Sequence, residues 1–466
     1  MVYRPQRPEL HITAETGVLN APAGAIVAGD TWHIFHQYRP TPDSPSRWAH
    51  QVSFGHAYDW DVCTDVIASS SLDNATEDTN IWAGSAVPHA AGAALYFTSA
   101  TPTTTALTRA IIEDLSDTVE HLDDDIFAVD DTVHIQGPII DDIPGYSRLR
   151  SPCVLPAIDG QWRMLLCADD DHGASRMLLA SSADGQRFTC DGAIDFVGDT
   201  GIAKGTRLVS PRLIRLRDEV TEQLCDIFIT TVEEGNRDHT GYLVGNLEGT
   251  TFTVTHGFRP IDYGHDFTRP RNTNVIGDET FDTATIFGLL NGAGRFDDGS
   301  AHATLDTEGW ANCLSLPRQA TLQDGTLYQT PTPGLRAAIT TSARAAAWTG
   351  LIDTSTGSVT VTVADDTGKV AATVTHAGDT LTLERGATVE GNDNAPAVAP
   401  LIAADSDTLT VIVDGCTIEV FADGGVVAMA SRIDFSGEPV ITASTTGGAK
   451  ILHSDIISAQ TPLRNL

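Results

Sequence analysis

Three groups of residues in this chain have types and spacings that bear on chemistry, and none is a ready-made catalytic set. His33-x-x-His36, with His50 and His56 nearby, has the residue types of a metal site. Residues three apart on a strand point to opposite faces, so this spacing predicts no bound metal, and nothing else implies a cofactor. The seven cysteines, Cys63, Cys153, Cys167, Cys190, Cys225, Cys313 and Cys416, are scattered without a Cys-x-x-Cys pair. Several lie in apolar runs, where a thiol acts as a small hydrophobe, so they read as reduced core residues. The third group is Gly17-Val18-Leu19-Asn20-Ala21-Pro22-Ala23-Gly24. A Pro and two Gly stop any helix there, and Asn-x-Pro is expected to open a turn that holds side chains at a pocket floor. That floor lacks a carboxylate.

The elements that must position these residues are strands. Helical periodicity is scarce, and short apolar or alternating runs bounded by Gly, Asp, Thr and Pro dominate. Five runs centred on Phe35, Tyr96, Leu165, Phe228 and Ile286 follow one another at spacings of 61, 69, 63 and 58 residues. In three of them a second run follows near Gln51, Leu178 and Leu243. A unit of roughly 60 residues with several short antiparallel strands fits a propeller blade, so residues 1–330 are expected to form a five-bladed β-propeller. A large β-sandwich with irregular loops is the alternative on spacing alone. Beyond Thr330-Pro331-Thr332-Pro333-Gly334, strict alternation in Val359–Val363 and Leu409–Val413, with a hairpin turn at Asp414-Gly415, predicts a β-sandwich over residues 336–466. The fold class is therefore all-β, in two domains.

Composition narrows the partners. Acidic residues outnumber basic ones by 62 to 28, a net charge of −34, and only Lys204, Lys369 and Lys450 are lysines. So negative a surface repels phosphate backbones and anionic lipids, which argues against nucleic acid and membrane partners. No apolar run approaches a membrane span, and Met1-Val2-Tyr3-Arg4-Pro5 has no leader character, so a cytoplasmic protein is expected. Oligomeric state is not legible.

Ordered motifs along nearly the whole chain carry a family resemblance. Arg7-Pro8-Glu9-Leu10-His11 leads to Gly17–Gly24, followed by Trp32-His33-Ile34-Phe35-His36-Gln37-Tyr38, Trp48-Ala49-His50 and Trp82-Ala83-Gly84-Ser85. Arg150-Ser151-Pro152, Leu208-Val209-Ser210-Pro211, Asp262-Tyr263-Gly264-His265-Asp266-Phe267, Trp310, Leu316-Pro317-Arg318 and Ile418-Glu419-Val420-Phe421 continue the series. Together they resemble glycoside hydrolase family 32, the invertases, levanases and inulinases. The resemblance implies a five-bladed propeller with a C-terminal sandwich. It also implies a pocket for a small carbohydrate, a fructoside or short fructan, contacted by Asn20, Gln37, Trp48, Trp82, Ser85, Arg150 and Trp310.

The departures from the family pattern decide the expected function. Retaining fructosidases need a carboxylate nucleophile and a carboxylic acid, with the two carboxyls about 5–5.5 Å apart. The family takes them from Asn-Asp-Pro and Glu-Cys-Pro, and a stabilising Asp from Arg-Asp-Pro. Those three positions here are Ala21, Val209 and Ser151. Neither a methyl nor an isopropyl group can do the chemistry, while the flanking Asn20, Pro22, Arg150, Pro152 and Pro211 keep their places. Asp266 is the candidate substitute carboxylate. The acidic loops Asp141-Asp142, Asp169-Asp170-Asp171 and Glu233-Glu234 read as solvated surface. Three readings follow: a fructoside-binding pseudoenzyme, a glycosidase or transglycosylase with relocated carboxylates, and a structural or assembly subunit. Binding without turnover, turnover abolished by Asp266→Ala, and neither activity would distinguish them.

Overall fold

The computed structural model describes residues 6–73, 75–90, 92–120, 128–155, 160–234, 237–275, 280–291, 303–386, 394–402 and 407–459. The chain's first five residues, read above for leader character, lie outside them, as does the side chain of Glu234. The five apolar centres all fall on second strands of units built on four antiparallel strands, the fourth unit carrying an added parallel strand, Asp195–Val197. Those second strands are Thr31–Arg39, Gly92–Ala100, Trp162–Asp170, Leu224–Glu234 and Ala284–Leu290. Each centre, Phe35, Tyr96, Leu165, Phe228 and Ile286, is 0 % exposed. A strand covered on both faces by neighbouring sheets needs apolar residues in succession rather than in alternation, which is why these runs stood out.

The first strands of the units are Gly17–Ala28, Asn80–His89, Tyr146–Leu155, Arg207–Arg217 and Phe267–Val275. They pack on one another in cyclic order. The ring closes where Ala25, Ile26 and Val27 pair in parallel with Thr273, Asn274 and Val275. This is the propeller arrangement, with five inner strands around one axis.

Gly17–Gly24, expected as a turn, is instead the first two thirds of an inner strand, Gly17–Ala28. Its Pro and Gly mark bulges, where the register against Thr31–Arg39 shifts between Leu19 and Ala21 and again between Pro22 and Gly24. Pro fits a strand where no ladder N–H is required, and a bulge supplies such a place.

After the fifth unit the chain builds two five-stranded antiparallel sheets. In one, Gly357–Ala364 buries Val359, Val361 and Val363; in the other, Asp407–Asp414 buries Leu409, Val411 and Val413, and all six join one core. The alternation seen in the sequence is thus the one-face burial of a sandwich. Among the described residues no helix is long and apolar enough to cross a membrane.

Propeller and sandwich are tied by a buried charge network. Arg318 reaches Glu419 at 2.7 Å and Asp262 at 2.8 Å. Glu419 also accepts the backbone N–H of Leu316 at 2.6 Å and faces His11 Nε2 at 3.2 Å, while His11 Nδ1 lies 2.8 Å from Asp414. Burial works against a charge on His11, but the hydrogen bonds to Asp414 and Glu419 outweigh it and lift its pKa to about 9. A raised folded-state pKa gives stability that is complete below about pH 6.5 and is lost as the pH rises toward 9. Asp65, pushed up to about 7 mainly by burial, acts in the same direction. The buried, neutral His33, His36 and His50, held below the usual histidine value by burial, act in the opposite direction, so unfolding free energy should fall by only about 1 kcal/mol between pH 6.5 and 8, below the range of ordinary thiols. Urea titrations across that window measure it, and a flat profile would show that His11 is not an imidazolium.

Candidate functional site

All five inner strands break their pairing at the same level. Trp82 to Ser85 spans three steps against two from Thr98 to Tyr96, and the same holds for Arg150 to Cys153, Val209 to Arg212 and Thr268 to Arg271. Pro152, Pro211 and Pro270 occupy these bulges. The residues just before them, Ser151, Ser210 and Arg269, adopt left-handed φ values of 57°, 53° and 49°. Such a conformation costs a non-glycine residue about 1–2 kcal/mol, and the surroundings must hold it. Its repetition at three equivalent positions makes this bulged ring the candidate site. Ala21, Ser151 and Val209 all lie on it.

Several residues expected to meet a ligand instead join neighbouring units. Gln37 Oε1 accepts the Ala83 N–H at 2.7 Å, bridging the first unit to the second. Ser85 Oγ accepts the Val154 N–H at 3.0 Å, bridging the second to the third. Trp48 is 0 % exposed, donates its Nε1–H to the Trp82 carbonyl at 3.2 Å and stands edge-on to Phe97. It cannot offer a face for stacking. Trp310 is likewise 0 % exposed, bonded to Glu308 beneath the guanidinium of Arg7. Asn20, Gln37, Trp82 and Ser151 are half-buried on the ring and keep surface for a ligand.

Asp266 is not available as a substitute catalytic carboxylate. It is 5 % exposed, and its Oδ2 accepts from Arg385 at 3.0 Å and from the Arg432 N–H at 2.7 Å, both groups of the sandwich. Its place is the seam between the two sheet systems.

The charges near the axis are arranged differently from the sequence reading. Arg212 and Arg271 are buried and converge on one acceptor, the Gly84 carbonyl, at 2.7 and 3.1 Å. Arg271 also donates to the carbonyls of Arg269 and Pro270, and Arg212 to that of Pro211. Burial pulls both guanidiniums below the usual arginine value, and for Arg271 the neighbouring charge of Arg212 adds to it. Gly84 must lack a side chain for this, because a Cβ would lie 1.8 Å from the Tyr96 carbonyl oxygen. The polar core of the ring is therefore cationic. Pro211-Arg212 and Pro270-Arg271, two arginines directly after prolines in a chain poor in cations, were the missed signal.

A second missed feature joins the third and fourth units. Asp169 Oδ1 holds Arg150 at 2.8 Å and lies 3.6 Å from Arg207, which in turn holds Glu233 at 2.8 Å. Asp169 and Glu233, read as solvated loop residues, are thus drawn to guanidiniums beside the ring.

The described residues thus form a bulged five-unit β-propeller followed by a β-sandwich. Residues 11–331 match the N-terminal domain of the glycosyl hydrolases of family 32 and residues 315–454 the C-terminal domain, so the chain belongs to glycosyl hydrolase family 32. A probable sucrose-6-phosphate hydrolase of Psychromonas ingrahamii is 24 % identical over 453 residues, covering 92 % of this chain and 77 % of its own. Among solved structures, the exo-inulinase of Aspergillus awamori superposes with a TM-score of 0.77 at 16 % identity, over 97 % of this chain and 98 % of that one. A β-fructofuranosidase of Bombyx mori, in an aspartate-to-alanine variant bound to sucrose, gives a TM-score of 0.73 at 19 % identity, over 97 % and 94 %.

Proposed function

We propose that this chain is a family member that binds a fructoside or short fructan without hydrolysing it efficiently. The observation that carries this reading is the bulged ring. Its three positions corresponding to the family's catalytic carboxylates hold Ala21, Ser151 and Val209, and its buried charged groups at the axis are Arg212 and Arg271. Family chemistry requires a nucleophile and a proton donor, and on this reading the three positions supply neither. What remains suits a sugar: half-buried Asn20 and Gln37 amides, the Ser151 hydroxyl, and the partly exposed Trp82 ring. The Bombyx mori variant supports the separation of binding from turnover, since that protein is in complex with sucrose with an aspartate removed.

Neutral hydrogen bonds to a sugar add only about 0.5–1.5 kcal/mol each, so millimolar affinity is the expectation. Calorimetry with sucrose and short fructans should give saturable heats. Trp82→Ala should weaken binding by about threefold to tenfold, the worth of one ring contact. Absence of heat up to about 50 mM, roughly fifty times a millimolar dissociation constant, would overturn the ligand class.

One observation favours a second reading. Asp169 and Glu233, on neighbouring units and linked through Arg207, form a carboxylate pair beside the ring. If they replaced the family pair, Asp169→Asn and Glu233→Gln would each abolish a measurable turnover while leaving sugar binding in place.

A further inference from the structure

We propose that the sandwich carries a divalent transition-metal site, of the zinc or manganese type, formed by His376, Asp407 and Asp423. It is separate from the propeller ring and from the His33 cluster. The three residues come from distant parts of the chain: the end of strand Val370–His376 in one sheet, the start of Asp407–Asp414 in the other, and the turn Asp423–Gly425. Their ligating atoms all lie within 4.8 Å of one another. His376 and Asp407 are buried, and Asp423 is largely so.

The hydrogen bonds around His376 leave a place for a cation between it and Asp423. Thr354 Oγ1 donates its single proton to Asp407 Oδ2 at 3.0 Å. The same oxygen lies 3.2 Å from His376 Nδ1, so it must accept there, and Nδ1 carries a proton. In a neutral imidazole Nε2 is then a bare lone pair, and it points at Asp423 Oδ1 from 3.3 Å. Two lone pairs at that distance repel unless a cation sits between them. A metal with bonds of about 2.0–2.1 Å in tetrahedral array holds its ligand atoms about 3.4 Å apart, close to the observed separation. Asp423 Oδ2 points the same way: it lies out of solvent with no hydrogen-bond partner among the described residues. One imidazole with two carboxylates, and the Thr354 hydroxyl fixing the tautomer, suits a borderline ion such as zinc better than calcium, which takes six to eight oxygens.

The alternative occupant of the gap is a proton in an ordinary hydrogen bond between His376 and Asp423, and the experiment separates the two. The full chain, dialysed against chelator, is titrated with zinc chloride by calorimetry and with cobalt chloride by visible absorption. The parent should bind one equivalent with a micromolar dissociation constant and show the d–d bands of a nitrogen and oxygen site, without thiolate charge-transfer absorption. Asp423→Asn, at the least buried ligand, should keep the fold and weaken that equivalent by at least tenfold. His376→Gln should abolish it. Zinc should also raise the melting temperature of the parent but not of either variant. A parent that binds no equivalent beyond Asp423→Asn, or whose only cobalt spectrum is of the thiolate type, would overturn the site.

Discussion

Replacing Arg318 by alanine should remove about 3–5 kcal/mol of unfolding free energy. Arg318 is 0 % exposed and is shared between Glu419 and Asp262. Burial alone would push both carboxyls up. Arg318 opposes this, holding Glu419 below its ordinary value with help from His11, while Asp262 still rises to about 6. Without the guanidinium the buried carboxyls of Glu419 and Asp262 would lose their shared cation at the seam between propeller and sandwich, leaving only His11, which Asp414 also holds. The guanidinium also stacks 4.3 Å from the Phe267 ring centre, so packing is lost along with charge. Urea denaturation monitored by tryptophan fluorescence measures the loss. Removing Glu419 as well, in Arg318→Met with Glu419→Gln, should recover part of it, because a breached ion pair costs more than an absent one. An Arg318→Ala chain within about 1 kcal/mol of the parent would show that the seam does not depend on this network.

The parts of this architecture that were legible in the sequence are those that burial writes directly into residue type. Second strands such as Ala94-Leu95-Tyr96-Phe97 are covered on both faces and so are apolar throughout, whereas a sandwich strand such as Gly357–Ala364 alternates because only one of its faces is fully buried. The inner strands were harder to read because their defining feature is a bulge. Proline and glycine at a bulge carry the same letters as proline and glycine at a turn, and Gly17–Gly24 was read as the latter. The errors at the site have a common cause, which is that sequence names a side chain but not its partner. Asp266 is fixed by Arg385 and Arg432, 119 and 166 residues away. Trp48 and Trp310 are large aromatics that the packing of neighbouring strands buries completely. The converging pair Arg212 and Arg271 could be seen only once both had been placed on one ring.

Introducing three carboxylates together, as Ala21→Asp, Ser151→Asp and Val209→Glu, should create fructoside hydrolysis at least about 10²-fold above the detection limit that the parent does not exceed, with almost no gain from any single change. Nucleophile and acid act as one unit, so one carboxylate without the other has nothing to do. The backbone is prepared for Asp at position 151, since Ser151 already sits in the left-handed region, where Asp is among the better-tolerated residues. Ala21 and Val209 are buried, and a carboxylate at either must be compensated. Arg212 and Arg271 offer that compensation, but a guanidinium that captures the new carboxylate also blunts it as a nucleophile. The rate should therefore stay well below the roughly 1–10³ s⁻¹ of ordinary enzymes. A folded triple variant that binds fructosides with turnover no higher than the parent would mean that the ring no longer aims these three positions at one sugar.

The most direct measurement is fructose release from sucrose, inulin and levan by the purified parent chain, with an Asn20→Ala chain prepared identically to reveal contaminating host enzyme. The expected result is no release above the protein-free blank, a deficit of about 10⁴-fold or more against ordinary glycosidase rates. Release at roughly 1 s⁻¹ or faster, lost in the Asn20→Ala preparation, would contradict binding without hydrolysis and place a working carboxylate pair elsewhere on the ring.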